Sequence, residues 1–322
     1  MTQPQATQTA ALDLSLEEYV PKSRNLYVEV VIRLIREKPL GLVSAIIAII
    51  FLIVAIATPM VAPGDPNALG AASERLQSPS LDHWFGTDNL ARDVYTRVAN
   101  GARVSVTIGF AAMVISSILA VLMGVLSGYF GGWVDLLFQR FVDAFIAIPG
   151  LVLIVAVVAM FEGSKIPGLP ENGLFSTNQV LLVSVLGVLF GVGNSRVIRG
   201  AVLSVMATTY IEAARSIGAG NGRMVFVHIL PNVMAPVITL ATLGLGGIIL
   251  TEASLSFLGM GVTPDVPTWG GMLNREARTW MSQGYWWLAL APGIALSLLV
   301  FAYNMLGDAL RDLLDPQLRG RG

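Results

Sequence analysis

Six long, almost purely apolar stretches run through the chain, separated by shorter polar connections. A transmembrane helix needs about 20 such residues. Because the stretches are continuous and do not alternate between apolar and polar positions, they favour helices over the strands of a membrane barrel. The sequence therefore predicts an all-α, polytopic membrane protein with six transmembrane helices. These fall at residues 40–61, 104–130, 136–161, 180–192 with a continuation, 234–258 and 285–306.

The composition agrees with membrane insertion and excludes several kinds of site. Charged residues make up 13% of the chain, whereas soluble domains carry roughly 25%. The net charge of −1 gives no reason to expect a nucleic-acid partner. The chain has no cysteine and two histidines, His83 and His228. Disulfides, cysteine-based sites and a histidine-rich metal centre are therefore excluded.

Lysine and arginine are distributed unevenly between the two sets of connections. A cytoplasmic N-terminus places 13 of these residues on the cytoplasmic side and 7 on the outer side. Since positive residues concentrate in cytoplasmic connections, we expect both termini to be cytoplasmic.

The patterning predicts five regions. Residues 1–24 are polar and predict a disordered cytoplasmic leader. Residues 25–62 predict an amphipathic interfacial helix, in which apolar residues mix with Arg33, Arg36 and Lys38, followed by the first transmembrane helix. A plain helical extension of that span is the alternative. Residues 63–103 are the predicted outer loop, 104–308 a five-helix core, and 309–322 a cytoplasmic tail.

Interruptions in the apolar stretches predict local details. The fourth stretch runs into Gly193 and Arg196 and is expected to end there. Pro149 predicts a kink in the third stretch. Arg140 and Asp143, three residues apart, are expected to form an ion pair on one helix face.

Three further polar residues have open or structural interpretations. Glu252 lies near the outer end of the fifth stretch, where it is either a functional residue within the membrane or a residue of the wet interface. His83 is expected to be a packed loop residue rather than a metal ligand. We expect His228 to be structural.

Residues 210–231, which we call the EAA segment, break the apolar pattern with a short polar helix and a glycine-rich turn. Gly218 stands where a helix C-cap glycine belongs, and Asn221 is placed to cap the helix that follows. Pro231 favours a break or a new helix start.

The short helix of the EAA segment has two predicted faces. An apolar face is expected from Tyr210, Ala213, Ala214 and Ile217, with Glu212 and Arg215 opposite. The segment therefore predicts a helix–turn–helix knob on the cytoplasmic surface. Such a knob either docks in a groove of another protein or is an ordinary loop between spans.

The EAA segment resembles the EAA loop of ABC-importer permeases. That pattern is Glu-Ala-Ala, three residues, Gly, nine residues, then Ile-x-Leu-Pro, and both spacings match here. One position departs, because His228 stands where the general pattern has isoleucine. The peptide-permease branch often has this histidine. The resemblance implies that coupling to a partner ATPase involves Glu212, Ala213, Ala214, Gly218 and Pro231.

Residues 85–93, which we call the FGTD segment, resemble the first outer loop of C-type permeases of the dipeptide, oligopeptide and nickel importers. Because Ala91 occupies the usual glycine place, a positive-φ turn is not expected there. Similar segments extend the resemblance over about residues 25–320. The matching outer-loop positions are Phe85, Gly86, Thr87, Asp88, Arg92 and Asp93.

The resemblance implies a permease subunit of an ATP-driven, binding-protein-dependent importer in a bacterial or archaeal inner membrane. Di- or oligopeptides are the expected substrates, with nickel or another small solute as the alternative. The implied partners are a second, homologous permease, two ATP-binding subunits, an extracytoplasmic binding protein and the lipid membrane. ATP and magnesium are expected in the partner subunits, with no cofactor in this chain.

The sequence offers no sign of enzymatic chemistry. The lysines are Lys22, Lys38 and Lys165, and none follows the phosphate-binding pattern G-x-x-x-x-G-K-[ST]. A stand-alone secondary carrier and an intramembrane enzyme are the alternatives from other classes. The first requires inverted repeats and midplane polar sites, and the second requires a nucleophile–base pair or metal ligands. Neither set of features is evident.

Overall fold

The structure of the chain, a computed structural model, describes residues 26–161, 164, 167–170, 176–263 and 265–314. The predicted leader at residues 1–24 lies outside the described residues, as does the predicted tail from residue 315 onwards.

Within the described residues the chain is helical, apart from turns and one isolated antiparallel bridge between Thr87 and Asp93. The long helices are α1 (Leu26–Glu37), α2 (Pro39–Ile56), α3 (Val94–Phe130), α4 (Gly132–Ile146), α5 (Gly150–Met160), α6 (Thr177–Met206), α7 (Thr209–Ser216), α8 (Leu230–Phe257) and α9 (Trp287–Leu314). Short helical segments lie in the connections at Thr58–Val61, Ala72–Glu74, Asn221–Arg223, Met224–Ile229, Trp269–Met272, Leu273–Ala277, Arg278–Trp280 and Met281–Gln283.

The helices α2, α3, α6, α8 and α9 are each long and apolar enough to cross a membrane, α8 together with the helical turns that precede it. The pair α4 and α5 passes the same test only as one unit and is bent by 85°. The described residues thus contain five candidate spans, or six if the bent pair is one span. An all-α membrane protein is confirmed, and the break lies at the predicted Pro149, which caps α5.

Two ends of the bundle carry different structures. The loop end bears residues 57–93 together with the described part of 258–286, and the EAA end bears the EAA segment. α2 runs from the EAA end to the loop end, α3 runs back, and Tyr129 near the end of α3 donates to Asn221 over 2.8 Å. α9 finishes at the EAA end, where Asp312 accepts from Lys38 over 2.5 Å. The first and last spans are therefore held together at that end.

Small residues let the spans pack closely. A Cβ on Gly124 of α3 would lie 2.7 Å from the Cβ of Ile198 on α6, and a Cβ on Gly187 of α6 would lie 2.7 Å from the Cβ of Ile115 on α3. A Cβ on Gly41 of α2 would lie 2.5 Å from that of Ala309 on α9. Since real Cβ atoms do not approach so closely, glycine is required at these crossings.

The amphipathic segment is a separate helix. α1 ends at Glu37, and the non-helical φ and ψ of Lys38 separate it from α2. The alternative of a plain extension of the first span is therefore wrong. Arg33 donates to Glu37 one turn later, and this hydrogen bond holds the pKa of the exposed Glu37 carboxyl below its usual value.

Two predicted helix boundaries are wrong. α3 begins at Val94 rather than residue 104, because Asp93 caps it and its polar first turns pack against the loop end. α6 does not end near Gly193 and Arg196 but continues to Met206. Its extension is stabilised by ion pairs to α4, since Arg196 contacts Asp143 and Arg199 contacts Asp135. The predicted pair between Arg140 and Asp143 is present, at 3.8 Å.

Pro231 marks a new helix start, one of the two predicted alternatives, because α8 begins at Leu230. The chain does not break there, because Met224–Ile229 winds as a π-helical segment that leads directly into α8. Pro231 occupies one of the first two positions of α8, where its missing N–H is least costly. The described chain is therefore helical from Asn221 to Phe257.

Candidate functional site

The EAA segment forms a short helix followed by a tight turn at one end of the bundle. α7 ends at Ser216, and Gly218 has a φ of +84°, as expected for a C-cap glycine. The amide of Ala219 donates to the carbonyl of Ala214, which closes the turn. The next helical turn starts at Asn221, with Gly220 at its N-cap, so the predicted capping role of Asn221 is wrong.

The buried face of α7 differs from the predicted one. Ile211 is 1% exposed and Ala214 is 6% exposed, and both pack in a cluster with residues of α3, α6 and α8. Of the predicted apolar face only Ala214 is buried, whereas Tyr210, Ala213 and Ile217 are exposed. Ile217 is exposed because α7 is too short to include it: the residue lies beyond the last helical residue, Ser216, and points away from the core.

The EAA end consequently exposes large apolar side chains. Ile217 is 87% exposed, Phe226 is 70% exposed and Val227 is 57% exposed. Glu212 and Arg215 are exposed beside them on α7. A cluster of exposed apolar residues with charged neighbours is typical of a protein–protein interface.

The hydroxyl of Tyr210 joins α7 to the start of α8. It donates to the carbonyl of His228 over 2.7 Å and accepts from the side-chain amide of Asn232 over 2.9 Å. That amide also donates to the His228 carbonyl over 2.6 Å. His228 is therefore structural through its main chain. The sequence analysis missed Asn232 and this role of Tyr210, although the family-like spacing of His228 and Asn232 was the available signal.

The FGTD segment lies at the loop end, so the structure does not bring the two motifs together. Asp88 is fully buried, and its carboxylate accepts from the amides of Leu90 and Arg92 over 2.8 and 2.9 Å. The Arg92 guanidinium donates to the same carboxylate over 2.6 Å, and Arg97 lies 3.8 Å from it. Asp88 thus organises the turn and neutralises charge from two arginines.

Gly86 and Thr87 attach the FGTD segment to α9. The indole N–H of Trp287 donates to the Thr87 carbonyl over 3.2 Å. Gly86 has a φ of +73°, and a Cβ there would lie 2.5 Å from the Gln77 carbonyl oxygen and 2.8 Å from the Trp287 indole nitrogen. Glycine is needed at this position for both conformation and space.

Ala91 adopts a positive φ of +58°, so the expectation that the turn would be absent is wrong. The bonds of the buried Asp88 to the amides before and after Ala91 impose this conformation on a residue with a Cβ. Phe85 is 37% exposed and stacks edge-on against Tyr95.

Asp93 closes the FGTD segment and starts α3. Its carboxylate accepts from the Thr96 amide over 2.7 Å, which caps the helix, and contacts the His83 ring over 3.0 Å. His83 is thus a packed loop residue. Within the described ranges no group of three or more histidine and acidic side chains is arranged to hold a metal ion.

The side chain of Glu252, in α8, is fully buried within the protein. Ser105 of α3 donates to its carboxyl over 3.1 Å, and Ser256 donates over 2.8 Å. The Ser105 bond joins α8 to α3 near the loop end, and the Ser256 bond fixes the carboxyl within α8.

Comparison with known proteins supports a transport role for this arrangement. Residues 120–320 match the family described as "Binding-protein-dependent transport system inner membrane component". The chain is 38% identical to the dipeptide transport system permease protein of Alkalihalophilus pseudofirmus, over 88% of each chain. It is 38% identical to the glutathione transport system permease protein of Escherichia coli O6:K15:H31, over 89% of this chain and 90% of the relative. It is 35% identical to the probable D,D-dipeptide transport system permease protein of Escherichia coli K12, over 89% and 91%.

The matches to the relatives cover 88–89% of this chain and so extend well beyond the two motifs. The resemblance deduced from the EAA and FGTD segments is confirmed. The chain belongs to the family of inner membrane components of binding-protein-dependent transport systems.

Proposed function

We propose that this chain is the permease subunit of an ATP-driven importer of short peptides, and that its EAA segment docks on a partner ATPase. The observation that carries the proposal is the exposed knob at the EAA end, where Ile217 lies next to the turn at Gly218 and Phe226 is exposed on the helical segment that follows. The three relatives compared above are named for dipeptide, glutathione and D,D-dipeptide transport, which supports a peptide as the substrate.

The assembly requires further subunits. A second, homologous permease completes the translocation path, two ATP-binding subunits bind ATP and magnesium, and an extracytoplasmic binding protein delivers the peptide to the loop end. This chain binds no nucleotide itself and is not an enzyme. In this proposal the EAA end and both termini face the cytoplasm of a bacterial or archaeal cell.

The geometry of the EAA segment suits the transmission of force. Burial of Ile211 and Ala214 seats α7 on the bundle, and the Tyr210 hydroxyl holds it to the start of α8. Because the helix from Asn221 to Phe257 is unbroken, movement of α7 by a partner is passed along α8 towards the loop end. There the bond from Ser105 to Glu252 connects α8 with α3, and the bond from Ser256 fixes Glu252 within α8. This is rigid-body coupling of the kind that drives alternating access.

Substitution of Ile217 by aspartate tests the docking. The side chain is 87% exposed, so the change leaves the fold intact but places a charge in the proposed interface. We expect peptide uptake by the assembled transporter in proteoliposomes to fall by about tenfold or more. The control is Leu81→Asp at the loop end, where the side chain is 94% exposed.

The outcomes separate the two parts of the proposal. Full uptake by the Ile217→Asp transporter contradicts docking through the EAA segment. Uptake of nickel rather than peptide by the wild-type assembly contradicts the proposed substrate but does not affect the proposed docking on the ATPase.

A further inference from the structure

A groove runs along the membrane-spanning surface between α2 and α3 at the loop end. Its volume is 540 Å³. Leu52 and Ile56 line one side, and Phe110 and Val114 line the other. Ile56 and Val114 are at least half exposed, so the groove opens onto the surface of the bundle.

Arg103 is the charged residue among those that line this groove. It belongs to α3 and is partly exposed. Within the described part of the chain its guanidinium makes no ion pair and no hydrogen bond, whereas Arg92 and Arg97 both contact Asp88. An arginine in a membrane span is costly unless its charge meets a counter-charge or water. Its charge therefore calls for an anion or water from outside the chain.

The depth of Arg103 matches the headgroup region of a membrane. The Thr58 hydroxyl, just beyond the end of α2, lies 3.5 Å from the Ala99 carbonyl of α3. Arg103 is four residues further along α3, about 6 Å deeper at the rise of an α-helix. Long arginine side chains extend towards the interface, so its guanidinium reaches the level of lipid phosphates.

The surroundings of the groove favour lipid as its occupant. The adjacent face of α2 exposes only apolar side chains at Ile46, Ile49, Ile53 and Ile56, which is a surface suited to acyl chains. A single cation at the end of an otherwise apolar groove complements an amphiphile with one phosphate and a long hydrocarbon tail.

We propose that Arg103 binds the phosphate of a phospholipid in the leaflet at the loop end, and that an acyl chain of this lipid fills the groove between α2 and α3. The proposal does not depend on peptide transport or on a partner ATPase. The bound lipid covers the side chains of α2 and α3 that line the groove.

The test uses the full chain, purified and re-lipidated with phosphatidylglycerol, and counts retained lipids by native mass spectrometry. We expect Arg103→Gln to weaken retention of one lipid about fivefold, the effect of one arginine at a lipid surface. Ala111→Phe, which fills the groove and keeps Arg103, is expected to remove the same lipid. The control Arg140→Gln changes a side chain that is 76% exposed at the EAA end, and we expect it to retain the lipid.

Inorganic phosphate is the second probe. If inorganic phosphate binds at Arg103 equally well in the wild type and in Ala111→Phe, the site binds free anions and does not need the groove. That result overturns the proposal. Equal lipid retention by the wild type and Arg103→Gln also overturns it. The proposal is also overturned if the Arg103→Gln variant retains the lipid but no longer co-purifies with a second permease.

Discussion

The two ends of the bundle use their motif residues in opposite ways. At the loop end the FGTD segment turns its polar groups inwards, where the buried Asp88 carboxylate meets Arg92 and Arg97. At the EAA end the motif is turned outwards, with Ile217 exposed next to the turn at Gly218 and Phe226 exposed on the helical segment that follows.

The comparison teaches that a family motif does not by itself mark a contact surface. In the FGTD segment the motif residues form hydrogen bonds within the protein, and these bonds position α3, α9 and the loop between α2 and α3. The EAA segment exposes apolar side chains, which contact a partner in the proposed function. Substitutions at the loop end should therefore affect stability first, and those at the EAA end should affect association first.

Removal of the Asp88 carboxylate is expected to have the largest effect. Asp88→Ala leaves two arginines near a buried position without this counter-charge, which costs about 3–5 kcal/mol of unfolding free energy. Thermal unfolding followed by tryptophan fluorescence measures the loss. Asp82→Ala, at an exposed position of the same loop, is the control and is expected to unfold like the wild type. Equal stability of the two variants would show that Asp88 does not organise the loop.

Two glycines with similar backbone conformations give the sharpest comparison. Gly86 and Gly218 have φ values of +73° and +84°. A Cβ on Gly86 would lie 2.5 Å from the Gln77 carbonyl oxygen, whereas one on Gly218 would have nothing within 4 Å. We expect Gly218→Ala to lower the unfolding free energy by about 1 kcal/mol through backbone strain alone. Gly86→Ala should cost about 2–4 kcal/mol, because overpacking adds to the strain.

The difference between these variants is the quantity to measure. Equal destabilisation would mean that backbone conformation, rather than packing, is what both positions require. For Gly218→Ala we also expect a loss of peptide uptake that the small loss of unfolding free energy does not account for, since the turn orients Ile217.

Ala91 should show the smallest effect. Ala91→Gly relieves the strain of a φ of +58° but removes a buried methyl group, and these contributions are each about 1 kcal/mol and opposite in sign. We therefore expect a net change below about 1 kcal/mol. Ala91→Val adds a β-branched side chain at the same φ and should be clearly destabilising in the same unfolding assay. A stable Ala91→Val protein would contradict the left-handed turn.

The sequence allowed the fold class to be predicted because the signal is local. Each span is a run of apolar residues, and Pro149 and Gly218 act through their own backbone geometry. Boundaries failed where tertiary contacts stabilise polar helix turns. The start of α3 at Val94 depends on Asp93 and on the packing of Arg97, and the extension of α6 past Gly193 depends on ion pairs to α4.

The site was predictable in position but not in arrangement. The spacing of the EAA motif identified Glu212 and Gly218. The backbone conformation of Ala91 was predicted wrongly, because hydrogen bonds to Asp88 impose it against the preference of alanine. The bond from Tyr210 to His228 joins residues 18 positions apart, and Ile211 is buried against residues of α3 and α6 that are further away still, so no periodicity reveals either contact.

Photo-crosslinking from position 217 in the native membrane tests the central claim most directly. A photo-reactive amino acid replaces Ile217 in one sample and Leu81 in another, and mass spectrometry identifies the crosslinked proteins. We predict that position 217 crosslinks to a protein that carries the phosphate-binding pattern G-x-x-x-x-G-K-[ST], and that position 81 does not. Crosslinks from position 217 to lipid alone, or to the same proteins as position 81, would contradict the account.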